Sequence, residues 1–448
     1  MKLKVENFGK IKSACVELNG YSIFVGDNNS GKTYLMQLIY GVTNALKNIY
    51  NFECSLFTNF PFYVNSENLK DFQGAVNKWL EKNKGWIVKN TFSNEISIGS
   101  LSLEIVQEDV ENSYVELKNI SLSEIEASKK KIRFSSDIDK SKNDFFCLEY
   151  RDYISVFESG HDRPLAFWRD LFAEILFERI LFNKIGFQAL FIPASRAGLN
   201  LVYRDLLAAI AKPNVYDLGR PEFRLPESKK MGVPKPVFDY LTFMQTYKPD
   251  EDHYKANKDI IYFIEKNIIK GKIVHIGDEI RYITDKGLVL PLSLSSSMIN
   301  ELTPVVHLLS SVDRYGRILY DEIENSQHPT SQIQLARLMN RLANKGINLI
   351  VSTHSDTMAA AISNIVMLSF VKNGLSKANE LGYEKEDLLK KDCVHAYQFE
   401  NENGLTVVKE LEKFVNQGVG YDFTLFNKTN ERLYEDYQII ARDDASAI

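Results

Sequence analysis

Gly26-Asp27-Asn28-Asn29-Ser30-Gly31-Lys32-Thr33 reads G-x-x-x-x-G-K-T, the P-loop pattern. A loop that wraps a polyphosphate must bring its backbone N–H groups close to it, and glycines allow that approach. Lys32 would then reach the β- and γ-phosphates of ATP, and Thr33 would offer its hydroxyl to Mg²⁺. Gly26, Asn28, Asn29, Ser30, Gly31, Lys32 and Thr33 are therefore the candidate phosphate cradle. The flanks agree. Tyr21-Ser22-Ile23-Phe24-Val25 reads as a short buried strand, and Leu35, Leu38, Ile39, Val42, Leu46 and Ile49 recur at helical spacing after it. Strand, loop and helix are the context this motif requires, and a helix N-terminus adds its own attraction for an anion.

A second cluster lies far downstream. Arg317-Ile318-Leu319-Tyr320-Asp321-Glu322 is an apolar strand ending in two acids. Asp321 would hold Mg²⁺, and Glu322 could polarise an attacking water. Leu349-Ile350-Val351-Ser352-Thr353-His354-Ser355 is another such strand, and a His at its end can contact a γ-phosphate. Before both lies Leu292-Ser293-Leu294-Ser295-Ser296-Ser297-Met298, which opens an apolar helix. Serines commonly cap helix N-termini. The sharper reading is that this N-terminus faces a second nucleotide held by a partner protomer.

Composition excludes several classes. The chain has 448 residues, 44% hydrophobic and 25% charged, an ordinary globular balance with room for one large or several smaller domains. Its net charge of −5 offers no global positive field for nucleic acid. The four cysteines, Cys15, Cys54, Cys147 and Cys393, lack metal or redox spacing, and reduced thiols in a cytoplasmic protein are expected. The N-terminus alternates like a strand rather than a signal peptide, and no uncharged apolar run is long enough to cross a bilayer.

Elsewhere the reading is coarser. Two strands are expected around Phe8-Gly9-Lys10, and a helix near Leu69–Leu80. Trp86–Thr91, Glu95–Ile98, Leu101–Val106 and Ser113–Leu117 alternate, which predicts an antiparallel sheet. Ser128-Lys129-Lys130-Lys131-Ile132-Arg133 reads as a solvated loop. Residues 165–186 read as helix, Phe187–Ile192 as a buried strand, and proline-rich 211–236 as a loop or irregular cap. Helices are expected at 237–247 and 257–269. A hairpin of Lys272–Ile276 and Glu279–Thr284 follows, turned at Gly277-Asp278, and two late strands at Val394–Phe399 and Leu405–Leu411 precede a helical tail.

The order P-loop, serine motif, Asp-Glu, His resembles the ABC-type ATPase heads of the SMC and RecF kind. More narrowly it resembles the OLD-type ATPases of bacterial anti-phage systems, such as the ATPase subunits of Septu and PARIS. Asn7-Phe8-Gly9, Gly26–Thr33 with Asn28, Asp321-Glu322-Ile323-Glu324 with His328-Pro329, and Thr353-His354-Ser355 carry the resemblance. Phe191-Ile192-Pro193-Ala194-Ser195-Arg196 is similar to a Pro-Ala-x-Arg strand end in such proteins. The resemblance implies an α/β fold, a P-loop head with a mixed sheet, an antiparallel β lobe and a helical insertion. The expected division is a first ATPase lobe at 1–125 with the β subdomain and a mainly helical insertion at 126–270, whose strand 187–192 belongs to the head. A second lobe follows at 271–400, then a strand and helical tail at 401–448.

By the same resemblance Lys32 and Thr33 bind phosphate and Mg²⁺, Asp321 binds Mg²⁺, Glu322 is catalytic, His354 is the switch histidine, and Ser296 and Ser297 act in trans. Met298 stands where the family signature holds a glycine, so slow turnover is expected. Gln188 is a candidate Q-loop residue. No Asp-x-Asp nuclease pattern follows His354, and the tail acids Asp443 and Asp444 sit at a terminus. The implied function is an ATP- and Mg²⁺-dependent oligomeric switch in anti-phage defence. It would pair with itself, respond to a DNA or phage-protein trigger and control a separate nuclease or toxin, with no membrane involved. Two rivals stand beside it: a RecF/SMC-like DNA-binding ATPase of repair or chromosome maintenance, and a scaffold that holds ATP without hydrolysing it.

Overall fold

The computed structural model describes residues 1–54, 62–63, 67–110, 114–120, 131–134, 145–150, 153–158, 173–174, 176–178, 180–182, 187–211, 233–277, 279–390, 392–413, 420–423 and 431–439. In chain order the strands are β1 (Lys2–Phe8), β2 (Ile11–Glu17), β3 (Tyr21–Gly26), β4 (Phe62–Tyr63), β5 (Ser100–Glu104), β6 (Tyr114–Ile120), β7 (Lys131–Phe134), β8 (Phe145–Tyr150), β9 (Tyr153–Glu158) and β10 (Phe187–Ile192). They continue with β11 (Gly271–Ile276), β12 (Glu279–Thr284), β13 (Val289–Pro291), β14 (Arg314–Tyr320), β15 (Asn348–Thr353), β16 (Val394–Glu402) and β17 (Leu405–Leu411). Two helices near the N-terminus are α1 (Lys32–Lys47) and α2 (Leu69–Phe92).

Among the described residues the main sheet has nine strands in the order β10-β14-β15-β3-β16-β17-β2-β1-β5. The first five run parallel, which places the ends of β3, β14 and β15 on one edge. The other half mixes antiparallel pairs with the parallel β17–β2 pair. The fold is thus the mixed-sheet α/β head that the resemblance implied. Every residue of β3 is buried, as in an interior parallel strand, and its serine, Ser22, donates to Glu17 O at 2.7 Å. Alternation then sorts its side chains. Tyr21, Ile23 and Val25 pack with Ile318, Tyr320, Leu349 and Val351 on one face. Phe24 packs with Leu319, Ile350 and α1 residues Leu35, Leu38 and Ile39 on the other.

Among the described residues two smaller sheets accompany it, β4-β6-β8-β9-β7 and the antiparallel β11-β12-β13, the latter as the hairpin pattern predicts. Several expectations need correction. Trp86–Thr91 is the second half of α2, not a strand. Phe72, Val76, Trp79, Leu80, Ile87, Val88 and Thr91 form one buried helical face, which the short Trp-Ile-Val run conceals. Glu95–Ile98 lies outside the strands. The stretch Leu101–Val106 becomes β5 and joins the main sheet beside β1, not the smaller one. Lys131-Ile132-Arg133-Phe134 is a strand paired with β9 instead of a loop, because its charges alternate with apolar residues. With β8 and β9 it makes the first part of 126–270 β rather than helical. The described residues between 173 and 182 are helical, as expected. Residues 128–130, 165–172, most of the 211–236 stretch, Asp278, Asp443 and Asp444 lie outside the described residues.

One buried cation ties the sheet to its cover. Arg317 on β14 is fully buried and donates to Thr43 Oγ1 of α1 at 2.9 Å, Leu18 O at 3.1 Å and Leu181 O at 3.1 Å. Burial pushes its guanidinium down to about 10, with Glu17 pulling it up, so it stays charged at neutral pH. Removing it strands buried acceptors, each costing about 1–3 kcal/mol. Arg317→Met should therefore lower the unfolding free energy by about 3 kcal/mol in urea titrations. A change within the ~0.5 kcal/mol of an ordinary surface substitution would contradict this reading.

Candidate nucleotide-binding site

The P-loop leaves the sheet where β3 ends. A side chain at Gly26 would place Cβ 2.8 Å from Phe399 Cβ and 2.9 Å from its carbonyl oxygen, so β16 approaches too closely for any other residue. Asn29 (φ 59°) and Gly31 (φ 97°) are left-handed and turn the loop into α1. Gly31 caps α1 without a side-chain hydrogen bond and no acid stands in the first turn, so the helix N-terminus is free to receive an anion. Lys32 is buried, and its amine donates to Gly26 O and Asp27 O, both at 2.9 Å, and to Ser30 Oγ at 3.2 Å. Burial pushes this amine down to about 8, and Asp321 leads the carboxylates that pull it back up.

The acids arrive from β14. Asp321 Oδ2 accepts from Thr33 Oγ1 at 2.7 Å, and its Oδ1 accepts from Ser352 Oγ at 2.6 Å. Burial raises the Asp321 carboxyl above its usual range while these two hydrogen bonds oppose the rise. Glu322 has φ 46°, a left-handed conformation that costs a residue with a side chain on the order of 1–3 kcal/mol. Three contacts over-determine it. Its N–H donates to Ser352 Oγ at 2.8 Å, its carbonyl accepts from Arg196 Nη2 at 3.0 Å, and Asn325 Nδ2 donates to its Oε2 at 3.3 Å.

His354 Nε2 lies 3.7 Å from Glu322 Oε1, and the His354 backbone N–H donates to Glu324 Oε1 at 2.5 Å. Burial, followed by the Lys32 charge, holds the imidazole below its usual range. Glu324 is raised by burial.

These groups border one cavity of about 670 Å³, lined by Gly9, Lys10, Asn28–Tyr34, Glu322 and His354. Tyr34 forms an aromatic wall, stacked on Phe8 at 4.9 Å and against Phe92 at 4.8 Å. Thr33 and Asp321 together offer two oxygens, a donor set that suits Mg²⁺ completed by phosphate and water. Gly26 and Asp321 sit beneath the cavity rather than on its lining. Ser296 and Ser297 are not on it. They stand exposed at the start of the helix Ser297–Ser310, where Ser296 is the N-cap without a side-chain capping bond, so the capping account fails. Gln188 is also elsewhere. It lies at the opposite end of β10 from Ile192, which accepts the Asp321 N–H, and lines a different cavity with Tyr40, Lys47 and Asp239.

Sequence reasoning missed Ser352, Asn325 and the partners of Arg196. Ser352 had a legible signal. It precedes Thr353-His354 on β15, and β15 lies between β14 and β3, so a hydroxyl there falls between the acids and the P-loop.

No curated protein matches the chain in sequence. Among solved structures it is similar to an SMC head bound to the C-winged helix domain of ScpA, with 11% identity, a TM-score of 0.39, and 92% of this chain and 97% of that one covered. It is similar to the SMC head domain from Thermotoga maritima, at 11% identity, TM-score 0.34, covering 92% and 98%. A third is the Smc head with an extended coiled coil bound to the C-terminal domain of ScpA, derived from Pyrococcus furiosus, at 11% identity, TM-score 0.37, covering 97% and 98%. The profile of the AAA ATPase domain matches residues 1–161 and 242–359, which include the P-loop, Asp321-Glu322 and His354. Matched over more than half its length, the chain belongs to the AAA ATPase domain family.

Proposed function

We propose that the chain is a Mg-ATP-dependent switch that binds ATP between the P-loop and Asp321-Glu322, hydrolyses it slowly, and pairs with a second copy across two nucleotides. The observation that carries this reading is the 2.7 Å hydrogen bond from Thr33 to Asp321, which joins the two halves of a Mg-nucleotide site beside Lys32, Glu322 and His354. Lys32 would hold the β- and γ-phosphate oxygens in place of the loop carbonyls it now faces. Thr33 and Asp321 would hold Mg²⁺, which when bound neutralises charge on those oxygens. Glu322 orients and deprotonates water, and its fixed left-handed backbone keeps the carboxylate at the cavity mouth. Burial and the Lys32 charge hold the His354 imidazole below its usual range, and His354 reads the γ-phosphate by hydrogen bonding. Ser296 and Ser297, exposed and away from this chain's own cavity, reach the partner's nucleotide.

The setting we propose is anti-phage defence, with this chain as sensor and a separate protein as effector; the motif resemblance supports it. The acids that could serve a nuclease, Asp321, Glu322 and Glu324, are committed to the nucleotide site. No helix among the described residues is long and apolar enough to cross a membrane. Salt-sensitive, nucleotide-linked DNA affinity would favour the RecF/SMC-like rival instead.

Three measurements bear on the assignments. Lys32→Ala should leave the fold intact and weaken ATP binding by about 2–5 kcal/mol, read by titration with a fluorescent ATP; unaltered affinity would remove the basis of the site. Glu322→Gln should bind ATP as before, lose at least ~10²-fold in hydrolysis, and accumulate as an ATP-bound dimer or higher oligomer. Wild-type turnover in that variant would show that the base lies elsewhere. Ser296→Arg should abolish hydrolysis yet spare nucleotide binding, and mixing it with Lys32→Ala chains should restore partial activity through one intact composite site. Full activity of Ser296→Arg alone would deny the serines any role in trans.

A further inference from the structure

Arg196, the first residue of the helix Arg196–Ala211, is completely buried, and its guanidinium is divided between two places. Toward the acids, Nη1 donates to Asp321 O at 2.8 Å and Nη2 donates to Glu322 O at 3.0 Å. Toward the serine helix, Nε pairs with Glu301 Oε2. The guanidinium also lies 4.6 Å over the Tyr320 ring, and Tyr320 OH donates to Glu301 O at 3.2 Å. Glu301 stands about one turn beyond Ser297 on Ser297–Ser310. That helix is held again at the preceding residue, where Asn200 Nδ2 donates to Asn300 O at 2.7 Å, and Tyr240 OH donates to Asn200 Oδ1 at 2.5 Å. One unit of hydrogen bonds joined by the Arg196–Glu301 ion pair therefore spans from the strained Glu322 backbone to Ser296, whose carbonyl accepts from Asn300 Nδ2 at 3.3 Å.

A buried ion pair is a poor source of stability, since its desolvation offsets much of its attraction. What it does provide is direction. The planar guanidinium fork can satisfy both acid carbonyls and Glu301 only in one relative placement of the loop and the helix. Any shift of Asp321-Glu322 must move Ser297–Ser310 or break a buried, charge-assisted contact.

We propose that Arg196 and Glu301 are a positioning pair that couples the two nucleotides of a dimer, passing the state of Asp321-Glu322 in one chain to the serines that this chain presents to its partner. The inference rests on the ATP-bridged dimer proposed above. Nucleotide filling at one site then sets the geometry of the other, so hydrolysis is cooperative in ATP. Glu301→Gln keeps shape and a hydrogen-bond acceptor while removing the charge. Arg196→Lys keeps the charge while losing the fork.

The test uses the full chain. Dimerisation with ATP is first read by sedimentation in the Glu322→Gln variant. Hydrolysis against ATP concentration is then compared between the wild type, Glu301→Gln and Arg196→Lys, with single-chain affinity for a fluorescent ATP measured in dilute protein. The wild type should show a Hill coefficient approaching about 2. Both pair variants should keep ATP affinity within about twofold, fall to a Hill coefficient near 1, and lose about 5–150-fold in linkage between the sites. A merely structural role would lower melting temperature and active fraction without changing the shape of the curve. An unchanged Hill coefficient in either folded variant overturns the coupling and leaves the dimer standing. Failure of Glu322→Gln to dimerise with ATP overturns the dimer and the coupling with it, and is recognised because both pair residues are native there. If neither pair variant folds, the pair is a stability element and the proposal falls.

Discussion

The hydrogen bond between Thr33 and Asp321 joins residues 288 positions apart, and the site depends on the sheet that permits it. Thr33 is delivered by β3 and α1, Asp321 by β14, and the two strands are separated by β15 alone. Because all three run parallel, their ends meet at one edge, the usual place for ligands in open α/β sheets. β15 is more than a spacer. It contributes Ser352, which donates a hydrogen bond to Asp321 and accepts one from the Glu322 backbone N–H, and then His354. A one-residue slip of β15 would turn Ser352 to the other face and dissolve the arrangement.

The electrostatics are those of a site short of positive charge. Asp321 and Glu324 are buried carboxylates raised by desolvation, with Glu322 at the cavity mouth beside them. Against them stands Lys32, itself lowered by burial and occupied by loop carbonyls. A divalent cation would answer the carboxylates and a polyphosphate the lysine, so each ligand would improve the environment for the other. Arg196 does not share this task, because its donors are taken by backbone carbonyls and Glu301 below the site.

What could be read from sequence was what is local. The P-loop was legible because strand, glycine turn and helix are contiguous, and β14 and β15 because each carries a buried apolar run, Ile318-Leu319-Tyr320 and Leu349-Ile350-Val351. The second half of α2 was not, since a few residues such as Trp86-Ile87-Val88 fit a strand as well as a helix until the whole buried face is seen. β5 reads as a strand, but nothing in its composition tells whether it joins β1 or β6. Arg196 was visible only as part of a motif, because its partners include main-chain carbonyls, which leave no trace in residue identity. Gln188 failed for a directional reason: a strand has two ends, and only its C-terminal one faces the nucleotide edge.

The placement of β3 also bears on how the chain comes into being. Its two neighbours are β15 and β16, drawn from residues 348–402, so β3 has no partner in the sheet until roughly 300 further residues have been made. At ribosomal speeds of about 5–20 residues per second, its apolar run waits for tens of seconds before it can be covered. Pairings this distant in sequence also form slowly once the chain is free. During synthesis Tyr21–Gly26 is therefore an open strand edge until β15 and β16 follow, and the pocket that it borders is assembled only then.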